Sequence, residues 1–198
     1  RHLHQAHAIR ANLLRIADHD WNGALAEFRI ALPLVFDTDP SHGAMSILLG
    51  TLGRVDEAIV ERRKYIAGDP LAAFARIYLA ELLTSRGRLD DAEESLRDAD
   101  QLNTYPTSNT REWRAGAGAC LAILRDDAAV ALSRTDTMKP GPGRERWRTL
   151  ALQIGTDRAA ADAALQRLIE ADDQTKGDAY IIARVYALRG DADHAFEW

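Results

Sequence analysis

Apolar residues recur along this chain at the three- and four-residue spacing of helices that bury one face. The stretch from Leu71 to Leu83 shows this spacing, and it is followed by Gly87, a residue type that tolerates the left-handed conformation at the end of a helix. Asp90 then offers a side chain that can cap the start of another helix. No stretch alternates apolar and polar residues as a half-buried strand requires. The pattern therefore predicts an all-α fold of short helices joined by tight turns.

The turn and the helix after it recur along the chain. Each copy is marked by an alanine just after the turn: Ala24, Ala58, Ala92, Ala128, Ala160 or Ala161, and Ala195. The first three of these alanines are spaced 34 residues apart. The fourth copy is weaker, with Arg125 in the place of the turn glycine. We interpret the alanines as the points where the second helix of a pair touches the first, because only a small side chain fits there.

A helix–turn–helix unit of 34 residues with small residues at fixed positions resembles the tetratricopeptide repeat. The resemblance implies a right-handed superhelix of about six repeats, the last one truncated, forming a single array over residues 1–198. The approximate repeats are 5–38, 39–72, 73–108, 109–140, 141–175 and 176–198.

Two segments carry a narrower resemblance. Residues 20–28 and 183–198 are similar to the repeat regions of certain bacterial regulators, in which a winged-helix DNA-binding, adenylate cyclase or kinase domain precedes the repeats. Trp198 also falls inside the helix to which it should belong, so we expect the native chain to be longer. This resemblance implies a regulatory or sensory part of a larger protein.

Composition narrows the function classes. The chain of 198 residues is 46% hydrophobic, and its net charge of −5 argues against direct contact with nucleic acid. The single cysteine, Cys120, excludes an internal disulfide, and its apolar surroundings suggest a buried, inert thiol. No apolar run is long enough to insert into a membrane. We expect a protein of the bacterial cytoplasm.

Candidate chemistry is sparse. His2, His4 and His7 form the sharpest polar cluster, but we interpret them as a solvated chain end because no nearby acidic residue completes a metal site. Three further histidines are interpreted as surface residues: His19, His42 and His194. Neighbouring carboxylates on a helix point about 100° apart and do not converge as an acid–base pair would. We therefore expect no enzyme activity, no cofactor and no metal.

The resemblance to tetratricopeptide repeats implies that certain positions of each first helix face a concave groove. The groove candidates for binding a ligand are Phe74, Ile77, Glu81, Trp113, Tyr180 and Arg184. Earlier repeats contribute Ile9, Leu13, Gly43 and Ile47, where a carboxylate-clamping array would carry Lys and Asn, so no such clamp is expected. Aromatic residues in a groove are typical anchors for a peptide, although packing between repeats explains them equally well.

These observations favour a non-catalytic protein-binding module. Its partner would be a protein or peptide, or an effector domain of the same polypeptide, held in the concave groove. Alternatively, the chain would be a free-standing adaptor or an assembly scaffold that forms homodimers and leaves the groove unused.

Overall fold

The structure, a computed structural model, describes residues 3–36, 38–102, 108–175 and 177–198. Within those ranges the chain is all-α, with no β-strand. A short 3-10 turn at Leu32–Leu34 follows the second helix. The helices are α1 (Leu3–Ile16), α2 (Trp21–Ala31), α3 (Ser41–Thr51), α4 (Val55–Gly68), α5 (Ala73–Ser85), α6 (Leu89–Gln101), α7 (Ser108–Leu124), α8 (Ala128–Asp136), α9 (Pro142–Gln153), α10 (Arg158–Thr175), α11 (Ala179–Leu188) and α12 (Ala192–Glu197).

The helices pack in consecutive pairs, and the chain divides into two compact units, Arg1–Tyr105 and Pro106–Trp198. In the first unit α1 packs on α2, α3 on α4, and α5 on α6. In the second unit the pairs are α7 with α8, α9 with α10, and α11 with α12. We call the odd-numbered members first helices and the even-numbered members second helices. The predicted fold of helix pairs is confirmed, whereas the single array over both units stays a prediction.

The turn inside a pair has a recurring backbone conformation. Gly53, Gly87 and Gly190 have positive φ angles of 73°, 70° and 74°. His19 and Asp126 occupy the same place in their own turns with φ of 54° and 58°. Glycine adopts this conformation without steric cost, whereas a side chain adds strain there. Five pairs therefore turn in the same way, although only three of them use glycine.

Each second helix begins with the same hydrogen bond. An alanine N–H donates to the carbonyl oxygen of the residue immediately before the helix; the six alanines are Ala24, Ala58, Ala92, Ala131, Ala161 and Ala195. The first five are at most 1% exposed, as expected where two helices touch. The marker predicted for the fourth repeat, Ala128, is therefore wrong by one helical turn, and its turn residue is Asp126 rather than Arg125. α7 has 17 residues, whereas α3 and α5 have 11 and 13, and this extra length shifts the register.

Close approach between helices explains two glycines. A Cβ atom on Gly116 of α7 would lie 2.7 Å from Nε1 of Trp147 on α9. A Cβ atom on Gly43 of α3 would lie 3.2 Å from the ring of Tyr65 on α4. The Gly116–Gly118 run thus serves helix packing. Its neighbourhood belongs to a core in the second unit that includes Ala122, Ala131, Leu150, Leu165 and Val185.

Two lengthened loops were predicted from the sequence. Most of the first, residues 103–107, lies outside the described residues. The second includes Pro140 and Gly141 and connects α8 to α9, and Pro142 begins α9. Proline suits the first turn of a helix because the N–H that it lacks has no partner inside the helix.

Candidate functional site

The predicted groove residues differ widely in exposure. Tyr180 is 72% exposed and Phe74 is 39% exposed, whereas Ile77 is fully buried. Glu81, Trp113 and Arg184 are partly buried. Ile77 therefore belongs to the core around α5 and offers no surface to a ligand.

The first unit exposes a row of large apolar side chains. Ile9, Leu13 and Ile16 of α1 are 62%, 58% and 61% exposed, and their spacing places them on one helix face. Ile47, on the neighbouring α3, is 37% exposed. We call these four residues the apolar strip. Gly43, expected beside them, is instead covered by the Tyr65 ring.

The first unit also contains a buried arginine, Arg62. Arg62 of α4 is 2% exposed, and its guanidinium lies 4.4 Å from the ring centroid of Tyr78 and 5.6 Å from that of Tyr65. It donates hydrogen bonds to Ser46 Oγ at 3.2 Å and to the Gly43 carbonyl oxygen at 3.1 Å. Burial lowers the pKa of Arg62 to about 10. The two hydrogen bonds and two rings stabilise the charge, and no ion pair with a carboxylate accompanies them in the described part of the chain.

The tyrosines around Arg62 also bear on the candidate Phe74. The rings of Tyr65 and Phe74 are 5.8 Å apart between centroids, so Phe74 packs against α4 as well as facing solvent. Burial raises the pKa of Tyr78. The charge of Arg62 opposes this shift, and the charge of Glu81 adds to it. Phe74 therefore belongs partly to packing within the first unit, and Glu81 lies close enough to Tyr78 for its charge to act on the phenol.

In the second unit, the guanidinium of one arginine lies near two aromatic rings. The Arg184 guanidinium of α11 lies 5.8 Å from the ring centroid of Tyr180 and 5.5 Å from that of Trp147 on α9. Tyr180 and Arg184 are one turn apart on α11, as the sequence predicts. Trp147 was not among the predicted residues, because the register of the fifth repeat could not be counted from the sequence.

Two histidine–carboxylate pairs were also missed from the sequence. His7 Nδ1 of α1 lies 2.5 Å from Glu27 of α2, and His42 Nδ1 of α3 contacts Glu61 of α4. The pairs occupy corresponding places in the first two repeats. His42 is 2% exposed, so its prediction as a surface residue is wrong.

The described residues show neither a metal-ligand cluster nor a membrane-spanning helix. They contain no cluster of three or more His, Cys, Asp or Glu side chains that could hold a metal ion, and His2 lies outside them. Cys120 is partly rather than fully buried. No helix in that part of the chain combines the length and the apolar character needed to cross a membrane.

The repeated helix pairs, with their shared turn and alanine contact, define a tetratricopeptide-type fold. A solved structure supports this: the chain is similar to a tetratricopeptide repeat protein from Parabacteroides merdae ATCC 43184, with a TM-score of 0.66. The match covers 100% of this chain and 77% of the other at 12% sequence identity, and it shows the fold alone. No protein-family model matches the sequence, and no curated protein matches it.

Proposed function

We propose that this chain is a non-catalytic protein-binding module whose first helices hold a segment of a partner protein or of a neighbouring domain. Protein binding is typical of the tetratricopeptide fold, since stacked helix pairs create extended binding surfaces. The apolar strip carries the proposal. Ile9, Leu13 and Ile16 form a stripe on one helix that the first unit leaves uncovered, and contiguous exposed apolar surface marks interaction sites.

The narrower proposal is that the module is the regulatory or sensory part of a larger bacterial regulator in the cytoplasm. It rests on the resemblance of residues 20–28 and 183–198 to the repeat regions of such regulators. In that case the bound segment comes from the effector domain of the same polypeptide, and the module controls that domain by holding or releasing it.

Site-specific photo-crosslinking in the native host tests the proposal. A photoreactive benzoylphenylalanine replaces Leu13 in the strip, and the matched control replaces Val60, which is 52% exposed on the second helix α4. We expect a discrete cross-linked product at position 13 and none at position 60, because the partner covers the strip alone. Mass spectrometry identifies the product.

The same experiment separates the alternatives. A product that joins position 13 to another part of the same polypeptide supports the regulator proposal. A product made only of two copies of this chain contradicts the proposal and favours an assembly scaffold. Equal products at both positions, or none at either, also contradict it.

A binding measurement with the identified partner gives the contribution of Leu13 to the affinity. We expect Leu13→Ser to weaken the partner's affinity about tenfold, since truncating an apolar anchor at an interface costs on the order of 1–2 kcal/mol. Val60→Ser, which removes a side chain of similar exposure, should leave the affinity unchanged.

A further inference from the structure

A small hollow in the first unit lies on the face of α5 opposite to the predicted groove residues. Its volume is about 210 Å³, and α4, α5 and α6 form it. From α5 it is lined by Arg76, Leu79 and Leu83, which are three and four positions apart and so share one helix face. At about 100° per residue, Phe74 and Glu81 lie on the other side of the same helix. The hollow is therefore separate from the groove candidates.

Charged side chains of both signs line this hollow. Four of them make no ion pair and no side-chain hydrogen bond within the part of the chain that the structure describes: Arg63 of α4, Arg76 of α5, and Glu94 and Asp98 of α6. A third carboxylate, Asp91, is already paired with Arg88 at 2.5 Å. The two signs come from different helices, and no direct contact joins them. The hollow thus separates two groups of charges that each still need a partner.

The preceding repeat shows why Arg76 lacks a carboxylate partner. His42 and Glu61 contact each other there, and the residues 34 positions further along the chain are Arg76 and Ser95. The hydroxyl of Ser95 donates to the carbonyl oxygen of Arg76 at 2.9 Å, so it does not neutralise the guanidinium. Nη1 of Arg76 is shielded from solvent and has no acceptor. A desolvated donor without an acceptor is destabilising, so a negatively charged group beside Arg76 stabilises it.

The size and the lining of the hollow limit what fits. Pockets for drug-sized ligands have volumes of about 300–1,000 Å³, so this hollow accepts a smaller molecule. A simple anion is repelled by the two carboxylates of α6, and a simple cation is repelled by the two arginines. Ile66, Leu79 and Leu83 supply an apolar part of the lining. The ligand that satisfies all of these groups is a small zwitterion with an apolar portion.

We infer that the hollow binds a free α-amino acid with an apolar side chain. The α-carboxylate accepts hydrogen bonds from Arg76 and lies beside Arg63. The α-ammonium group donates to Glu94 and Asp98, and the apolar side chain lies on the two leucines. The site is independent of the apolar strip, so either proposal can fail without the other. A ligand held by α4, α5 and α6 together stabilises the folded first unit.

Titration calorimetry of the intact chain with leucine, isoleucine and valine tests the inference. We expect at least one of them to bind and to raise the temperature of thermal unfolding, because a ligand of the folded state stabilises it. N-acetyl-leucine lacks the ammonium charge, and leucinamide lacks the carboxylate charge. We expect each of these two compounds to bind about tenfold more weakly than leucine, or not at all, because each leaves one group of charges without a partner.

Substitutions then locate the site. We expect Arg76→Gln and Asp98→Asn each to weaken binding about tenfold or more, since each removes a charged partner of the ligand. Arg97→Gln is the matched control: Arg97 is an exposed arginine of α6 that has no ion pair among the described residues and does not line the hollow. It should leave the affinity unchanged. Circular dichroism verifies folding, and Asp98→Asn, at an exposed position, serves as the test if Arg76→Gln does not fold.

The opposite results overturn the inference. If none of the three amino acids gives heat or shifts thermal unfolding, the charges around the hollow serve the fold alone. An amino acid that binds the folded variants of Arg76 and Asp98 as tightly as the wild type binds elsewhere. N-acetyl-leucine that binds as tightly as leucine shows that the carboxylates of α6 take no part. Each of these results leaves the proposed function standing, because cross-linking at Leu13 tests that function separately.

Discussion

At the scale of single residues, contact between helices decides which side chain is tolerated. Gly116 lies under the Trp147 ring, whereas a Cβ atom on Gly143, in the first turn of α9, would meet nothing within 4 Å. The two glycines therefore look alike in the sequence but differ in the space around them. The packing role of Gly116 follows from its place in a predicted first helix, but its partner could not be predicted.

The two glycines should respond to alanine in opposite directions. We expect Gly116→Ala to lower the free energy of unfolding by about 1–3 kcal/mol, because the new methyl group displaces the Trp147 ring. Gly143→Ala should raise it by up to about 1 kcal/mol, since alanine restricts the unfolded chain and favours the helix. Urea unfolding followed by circular dichroism measures both. Equal effects of the two substitutions would show that Trp147 does not press on Gly116.

Arg184 and Trp147 show how far sequence reasoning reached at the candidate site. Tyr180 and Arg184 were predicted as groove residues from the resemblance to tetratricopeptide repeats, in a last repeat whose register is marked by the glycine turn at Gly190. Trp147 was missed because the turn before α10 lacks the left-handed residue that marks the other pairs. Exposure was harder still: Ile77 has the spacing of a groove residue, but neighbouring helices bury it.

At the scale of helices, the turn inside five of the six pairs has the same backbone conformation, which glycine, histidine or aspartate adopts. The fourth pair uses Asp126 at a φ of 58°, so its turn carries no glycine to reveal the register. Aspartate reaches this conformation more readily than most residues, which explains why the pair still forms. The helix pairs were predictable from periodicity, whereas this register was not.

Substitutions at the turn residue should change stability according to φ. We expect Asp126→Gly to raise the free energy of unfolding by about 0.5–1 kcal/mol, because glycine removes the strain of the left-handed conformation. Gly87→Ala should lower it by about 1–2 kcal/mol, since alanine is strained at a φ of 70° although it meets no neighbouring atom. Thermal unfolding of the two variants measures these changes. A destabilising Asp126→Gly substitution would mean that the aspartate side chain itself supports the turn.

At the scale of the whole molecule, the chain is two compact units, each with its own buried residues. In repeat proteins each pair supports chiefly its neighbours, so stability is local rather than uniform. Arg62 belongs to the first unit alone, where it joins α4 to α3 and α5. Loss of the Arg62 side chain should therefore destabilise the first unit more than the second.

Hydrogen exchange should locate the effect of Arg62. We expect Arg62→Ala to destabilise the first unit by about 2–4 kcal/mol, because it leaves buried acceptors without donors and removes the contact with Tyr78. Amide exchange should accelerate in α3–α6 and change little in α9–α12. Arg63→Ala, at an exposed neighbouring position, is the control and should change neither unit. Uniform acceleration over both units would contradict local stability.

The hydrogen bond at the start of the second helix of each pair has a consequence for how the gene of a repeat protein can lengthen. Its donor and acceptor are four residues apart in the sequence, so each pair brings along everything needed to form it. A duplication of one pair by unequal crossing-over inserts a segment that already contains its own turn, start signal and small contact residue. Lengthening the chain by whole pairs therefore leaves the local structure of the older copies unchanged, and the new copy is free to diverge on its exposed face.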